Sequence, residues 1–219
     1  MHSIIKSSFY IIFLVLVLVV GIKMLINSKG NVLAMIFGLT ILVLGVGEGF
    51  HILPRILEIF NNDIGTYGPM METGRFISSI SIILVYLLLF RFWKKYYKVT
   101  DNTNMEKILL LLGVIGVILS VIFKDSTDYS LIILRNLPII LIGYFVILGY
   151  KKQAAITSDK GFKYLWLAML LSLVFTIAFE LLSFNYEFLV ILMMPKTLMF
   201  IWIVVMGYVA HKNDLLTIS

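Results

Sequence analysis

Glu48, His51 and Arg55 stand three and four residues apart in an apolar run, Gly45-Val46-Gly47-Glu48-Gly49-Phe50-His51-Ile52-Leu53-Pro54-Arg55. On a helix, those spacings stack side chains along one face. A carboxylate and an imidazole on one stripe could exchange a proton, begin a metal site or grip the polar part of a ligand. Ionisable groups inside a membrane-length segment are costly, so they face protein or water and point to function.

The elements that must position this stripe are membrane-length helices. Of 219 residues, 61% are hydrophobic and 14% charged, a composition that excludes an ordinary soluble domain. A span needs about 20 apolar residues, and residues 9–26, 32–53, 76–92, 108–123, 131–150, 164–182 and 188–210 qualify. They predict an all-α, polytopic integral membrane protein, a seven-transmembrane-helix bundle forming a single domain over residues 1–219. The first run is longer than a signal-peptide core and no small-x-small cleavage site follows it, so it reads as a true helix. With no cysteine, disulfides and thiolate ligands or nucleophiles are excluded.

Twelve of the eighteen basic residues fall on the side of the C-terminus: Lys23, Lys29, Arg91, Lys94, Lys95, Lys98, Lys107, Lys151, Lys152, Lys160, Lys163 and Lys212. The positive-inside bias predicts a cytoplasmic C-terminus and an external N-terminus, as for a multi-pass protein of a bacterial-type plasma membrane. The net charge of +6 thus follows from orientation and gives no reason to expect nucleic acid. Trp93, Tyr96 and Tyr97 beside Lys94 and Lys95 read as an inner interfacial anchor. The connection 54–75, with Asn61-Asn62-Asp63-Ile64-Gly65 and Tyr67-Gly68-Pro69, reads as the longest outer loop and the mouth of anything opening outward.

On this topology seven ionisable groups within or at the ends of spans fall toward the outside: Glu48, His51, Arg55, Arg75, Arg135, Glu180 and Lys196. Lys196 is placed about eight residues into the last span, on the order of 12 Å below its outer end. A lysine at that depth needs a partner or water, and Glu48 and Glu180 are the obvious partners. Four cations, Arg55, Arg75, Arg135 and Lys196, face these two carboxylates. The leading expectation is therefore an outward-facing polar pocket that binds an anionic or zwitterionic amphiphile for binding, sensing or transport. The expected partners are membrane lipids or an amphiphilic small molecule, with no nucleic acid; the sequence leaves the oligomeric state open. A structural charge network without a ligand is an alternative. Pro138 and Pro195 read as helix breaks near the pocket, and Gly45, Gly47 and Gly49 as sites of close helix packing.

Hydrolysis is a further alternative, with Glu48 and His51 as the catalytic candidates. No cofactor is expected; zinc is the one metal Glu48-x-x-His51 could begin to hold. A catalytic zinc takes three protein ligands and a water. His211 ends the last span on the opposite side and His2 lies in the tail, so Glu180, Asp63 or Glu72 would have to complete the set. Ser78, Ser79 and Ser81 could face His51, but serines in a span usually pack or bond their own backbone. Lys196 could form a retinal Schiff base, but the third span offers no carboxylate counter-ion.

The run Gly45-Val46-Gly47-Glu48-Gly49-Phe50-His51 resembles the glycine-rich, Phe-His-ending second-helix motif of the alkaline ceramidase and adiponectin-receptor-like seven-helix membrane hydrolases. The resemblance implies a lipid or amide hydrolase with seven spans in which His51 binds zinc. It covers one helix. The family's serine, four residues before the histidine, is Gly47 here, and Asp63 lies close to its aspartate. Its helix-seven His-x-x-x-His is replaced by Met193-Met194-Pro195-Lys196-Thr197.

Overall fold

A computed structural model describes residues 2–61, 66–100, 103–124, 126, 128–157, 159–182 and 192–216, with the side chains of 2–6, 103 and 180–182 excepted. Among the described residues there is no strand. The chain forms α1 (His2–Ile26), α2 (Val32–Asn61), α3 (Gly68–Tyr96), α4 (Thr103–Ile122), α5 (Tyr129–Ile156), α6 (Leu165–Leu182) and α7 (Met193–Lys212). All but α6 are long and apolar enough to cross a membrane, which is the build of a multi-pass membrane protein.

The helices close a ring in chain order, with α7 returning to α1. Two further contacts cut across it, α2 with α7 and α3 with α5. The first leaves α1 outside and the second leaves α4 outside. Accordingly, only 28% of the best spanning window of α1 and 22% of that of α4 is buried, against 56% for α2 and α3. The seven ionisable groups singled out in the sequence all lie on the five inner helices.

Two boundaries differ from the sequence expectation. The second helix does not stop before Pro54 but runs through it to Asn61, and α3 starts at Gly68, two turns before residue 76. The outer connection thus shrinks to residues 62–67, and the Asn61 side-chain amide bonds to the Tyr67 hydroxyl. Pro69 stands in the first turn of α3, where a missing N–H costs nothing. Pro54 has no N–H for the Phe50 carbonyl one turn back. At that spot Gly74 of α3 comes so close that a Cβ would lie 2.2 Å from the Phe50 oxygen. Backbone-to-backbone packing of this kind needs glycine and supplies a Cα–H donor to a carbonyl left without its helical partner. Gly47 does the same for side-chain packing, since a Cβ there would stand 2.2 Å from that of Ser81. Pro138 does not break α5, and Pro195 sits in the first turn of α7. The stretch 188–191 lies outside the described residues, and Lys196 occupies the first turn of the described α7.

The α1–α2 turn, the end of α3, the start of α4, the α5–α6 turn and the end of α7 share one end of the bundle. Asn31 donates to the Leu216 carbonyl at 2.9 Å, and Lys94 meets Glu106 at 2.6 Å. This basic end is held by an aromatic knot. Phe37, Phe92, Tyr96 and Phe162 have ring centroids 5.0–5.4 Å apart, and Phe37 presses on Gly207. Asp159 ties the knot to the α5–α6 turn. It accepts from the Tyr96 hydroxyl at 3.2 Å, Tyr97 at 2.6 Å, and the N–H groups of Gly161 and Phe162 at 2.7 and 3.2 Å. Trp93 is buried and stacks on Phe90, so this aromatic group packs inward and is not simply a belt facing lipid.

Candidate functional site

Glu48 and His51 stand one turn apart on the inner face of α2, both buried. From α7, the Lys196 ammonium reaches Glu48 Oε1 at 2.9 Å; from α3, the Ser78 hydroxyl donates to the same oxygen at 3.1 Å. Three helices therefore converge on one carboxylate oxygen. The side chains of Lys196 and Glu48 are 5% and 1% exposed. A pair this deep adds little net stability over a well-packed apolar pair, but removing one partner strands a charge. Lys196 also lies 5.4 Å from the Phe200 ring centroid, a cation–π contact one turn along its own helix. Glu48 Oε2 and His51 Nδ1 are buried and have no hydrogen-bond partner among the described residues.

Arg55, a turn beyond His51, lies 5.4 Å from the Phe179 ring centroid of α6 and touches the Met193 sulfur of α7. The His51 ring meets the same Phe179 edge-on at 6.3 Å. Arg55, Arg75 and Lys196 all lie within electrostatic reach of the imidazole.

Beside this group is a cavity of about 30 Å³, walled by His51, Arg75, Ser78, Ser79, Asn136, Thr176 and Lys196, with Ile82, Ile139 and Phe179 as its apolar lining. It has room for two or three water molecules, at roughly 10–15 Å³ each. Its hydroxyls, and one N–H of the Asn136 amide, already donate within the protein. Ser79 donates to the Arg75 carbonyl at 3.0 Å, Thr176 to Ser172 at 2.7 Å and Asn136 to Ile132 at 2.9 Å. Their oxygens keep lone pairs for an occupant, while Arg75 and Lys196 bring cationic N–H groups. The wall can thus receive both signs of charge.

A second cavity, about 40 Å³, lies between α5 and α6 and shares Asn136, Ile139 and Thr176 with the first. Its other lining residues, Ile133, Ile140, Leu173 and Ile177, are aliphatic. Ile133 is 48% exposed, so the groove reaches the outside of the bundle. A polar chamber and an apolar groove share one wall.

Five of the seven expected site residues, Glu48, His51, Arg55, Arg75 and Lys196, gather at this end of the bundle. Arg135 is not part of the cavity. It is buried on α5 with Nη1 3.4 Å from the carbonyls of Phe123 and Lys124, where a cation meets the C-terminal end of α4. One step along the helix turns the side chain by about 100°, and the neighbour, Asn136, lines the cavity instead. The Glu180 side chain and Asp63 lie outside the described residues. Glu72 is exposed and lines neither cavity.

Among the described residues no three His, Cys, Asp or Glu side chains gather to hold a metal, and the Glu48 Oε1 atom already carries an ammonium; the Glu180 side chain and Asp63, two of the groups that could complete such a set, lie outside that description. Thr176 and Phe179, one turn before Glu180 and beside it, were missed by sequence reasoning. A hydroxyl in an otherwise apolar span was the only available signal for Thr176. Compared with protein-family models, with curated protein sequences and with solved structures, the chain gives no match.

Proposed function

We propose that this chain is a seven-span membrane protein that binds an anionic or zwitterionic amphiphile from the outer leaflet, for sensing or transport. The head group occupies the chamber against His51, Arg75, Asn136 and Lys196, and the hydrocarbon chain lies in the groove between α5 and α6. The observation that carries this reading is the shared wall of Asn136, Ile139 and Thr176 between a charged chamber and an aliphatic groove, because an amphiphile has that same polarity along its length. The chamber is now water-sized, so binding a head group requires α5 and α6 to part. Twelve basic residues at the opposite end support an outward-facing chamber by the positive-inside bias.

Native mass spectrometry of the purified protein tests this. The wild type is expected to carry a co-purifying amphiphile. Glu48→Leu combined with Lys196→Met, which replaces the ion pair by packable apolar side chains, is expected to fold and release it. A folded double variant that retains the amphiphile would sink the reading. A wild type without one, whose ion-pair variants change stability alone, would make the cluster a structural network.

A second reading is a lipid or amide hydrolase, as the resemblance of residues 45–51 to the alkaline ceramidases implies. It is favoured by Ser78 and His51 lining the same chamber. Cleavage of N-acyl or O-acyl amphiphiles by wild type, lost in folded His51→Ala, would establish it; no turnover of either class would remove it.

A further inference from the structure

A cavity much larger than the chamber and the groove lies at the other end of the bundle. A cleft of about 910 Å³ opens between the α5–α6 turn and the last turns of α7. One wall is a stripe of α7, Trp202, Val205, Met206 and Val209, at the spacing of a single helical face. Val205 and Val209 are 44% and 45% exposed. Ile156 and the solvent-exposed Lys160 and Lys163 also line the cleft.

Asp159 also lines this cleft, but both of its oxygens are taken by hydrogen bonds from Tyr96, Tyr97, Gly161 and Phe162. It belongs to the aromatic knot, which leaves the exposed Lys160 and Lys163 as the charges that face an occupant. The stripe of Trp202, Val205, Met206 and Val209 gives the cleft an apolar floor. It matches hydrocarbon, and the two exposed ammonium groups match an anionic head. Basic pockets between spanning helices on the lysine-rich side of a membrane protein suit anionic lipid head groups for the same reason.

We infer that this cleft is a binding site for an anionic membrane phospholipid, its head group held by Lys160 and Lys163 and one acyl chain laid along Trp202, Val205, Met206 and Val209. The site is independent of the outer chamber and shares no residue with it.

The test is native mass spectrometry of the full-length protein in mild detergent, titrated with phosphatidylglycerol or phosphatidylcholine of identical acyl chains. Wild type is expected to retain phosphatidylglycerol more strongly, on the order of ten-fold. Lys160→Gln with Lys163→Gln should bring the two lipids level. Lys95→Gln with Lys107→Gln, which removes the same charge from the same end outside the cleft, should leave the preference intact. Val205→Trp with Val209→Trp should lower retention of both lipids. Equal retention of the two lipids by wild type would overturn the assignment. So would a preference that survives Lys160→Gln with Lys163→Gln, or one that falls equally in the Lys95 and Lys107 variant. The first two pairs alter exposed side chains and do not threaten folding. Glu48→Leu with Lys196→Met should keep the preference, so failure of this site and failure of the outer one are read separately.

Discussion

Glu48 and Asp159 are two carboxylates at opposite ends of one bundle, and each ties together elements distant in sequence. Asp159 receives four hydrogen bonds, two from hydroxyls and two from backbone N–H groups, on both of its oxygens. Glu48 receives two, both on Oε1, while Oε2 has no partner among the described residues. Asp159 completes a knot of packed rings. Glu48 adjoins the wall of a chamber. The contrast separates a carboxylate used for construction from one with bonding capacity left over. A polar network that is fully satisfied rigidifies a fold, and a partly satisfied one is where a ligand can still be accommodated.

The largest effect is expected from Lys196→Ala. It strands the Glu48 charge and should destabilise the protein by about 3–5 kcal/mol, read as a lower thermal midpoint in detergent. Adding Glu48→Leu should recover most of that loss, and a double variant no better than the single one would break the comparison at its charged end. Asp159→Ala comes next, at roughly 2–3 kcal/mol for hydrogen bonds to a charged acceptor. It should leave amphiphile retention unchanged; a lost ligand would mean that the two ends are coupled. Arg135→Gln should cost about 1 kcal/mol through the end of α4, again with the ligand retained.

The smallest effect concerns pH. Burial first, and then the hydrogen bond to Asp159, push the Tyr97 hydroxyl up from its ordinary value of 10.0. The folded state keeps that proton where the unfolded chain gives it up. The contribution is complete below pH 10 and is lost as pH rises above it. Unfolding titrations from pH 8 to 11 should show this slope, and Tyr97→Phe should make it shallower.

Much of the architecture was legible because a span announces itself by length and apolarity alone. The convergence of Glu48, His51 and Lys196 was also legible, since a buried lysine in an apolar helix demands a carboxylate and few were within reach. Arg135 was misleading. Residue type cannot show which way a side chain turns, and one step of helix put Asn136 at the chamber and Arg135 on the α4 carbonyls. Asp159 was hidden for the opposite reason. An aspartate in a Ser-Asp-Lys-Gly turn looks like solvated surface until the ends of α3 fold onto it. Pro54 looked like a stop because its own helix supplies no substitute bond for Phe50, and the compensation comes from another helix 20 residues on.

That compensation has an evolutionary consequence. Position 74 tolerates no Cβ while the Phe50 carbonyl projects at it, and that carbonyl lacks its helical partner only because residue 54 is proline. The two positions carry one constraint between them. In relatives of this chain, glycine at 74 and proline at 54 should be kept or lost together, and a lineage that replaces the proline should be the one in which alanine or serine first becomes permissible at 74.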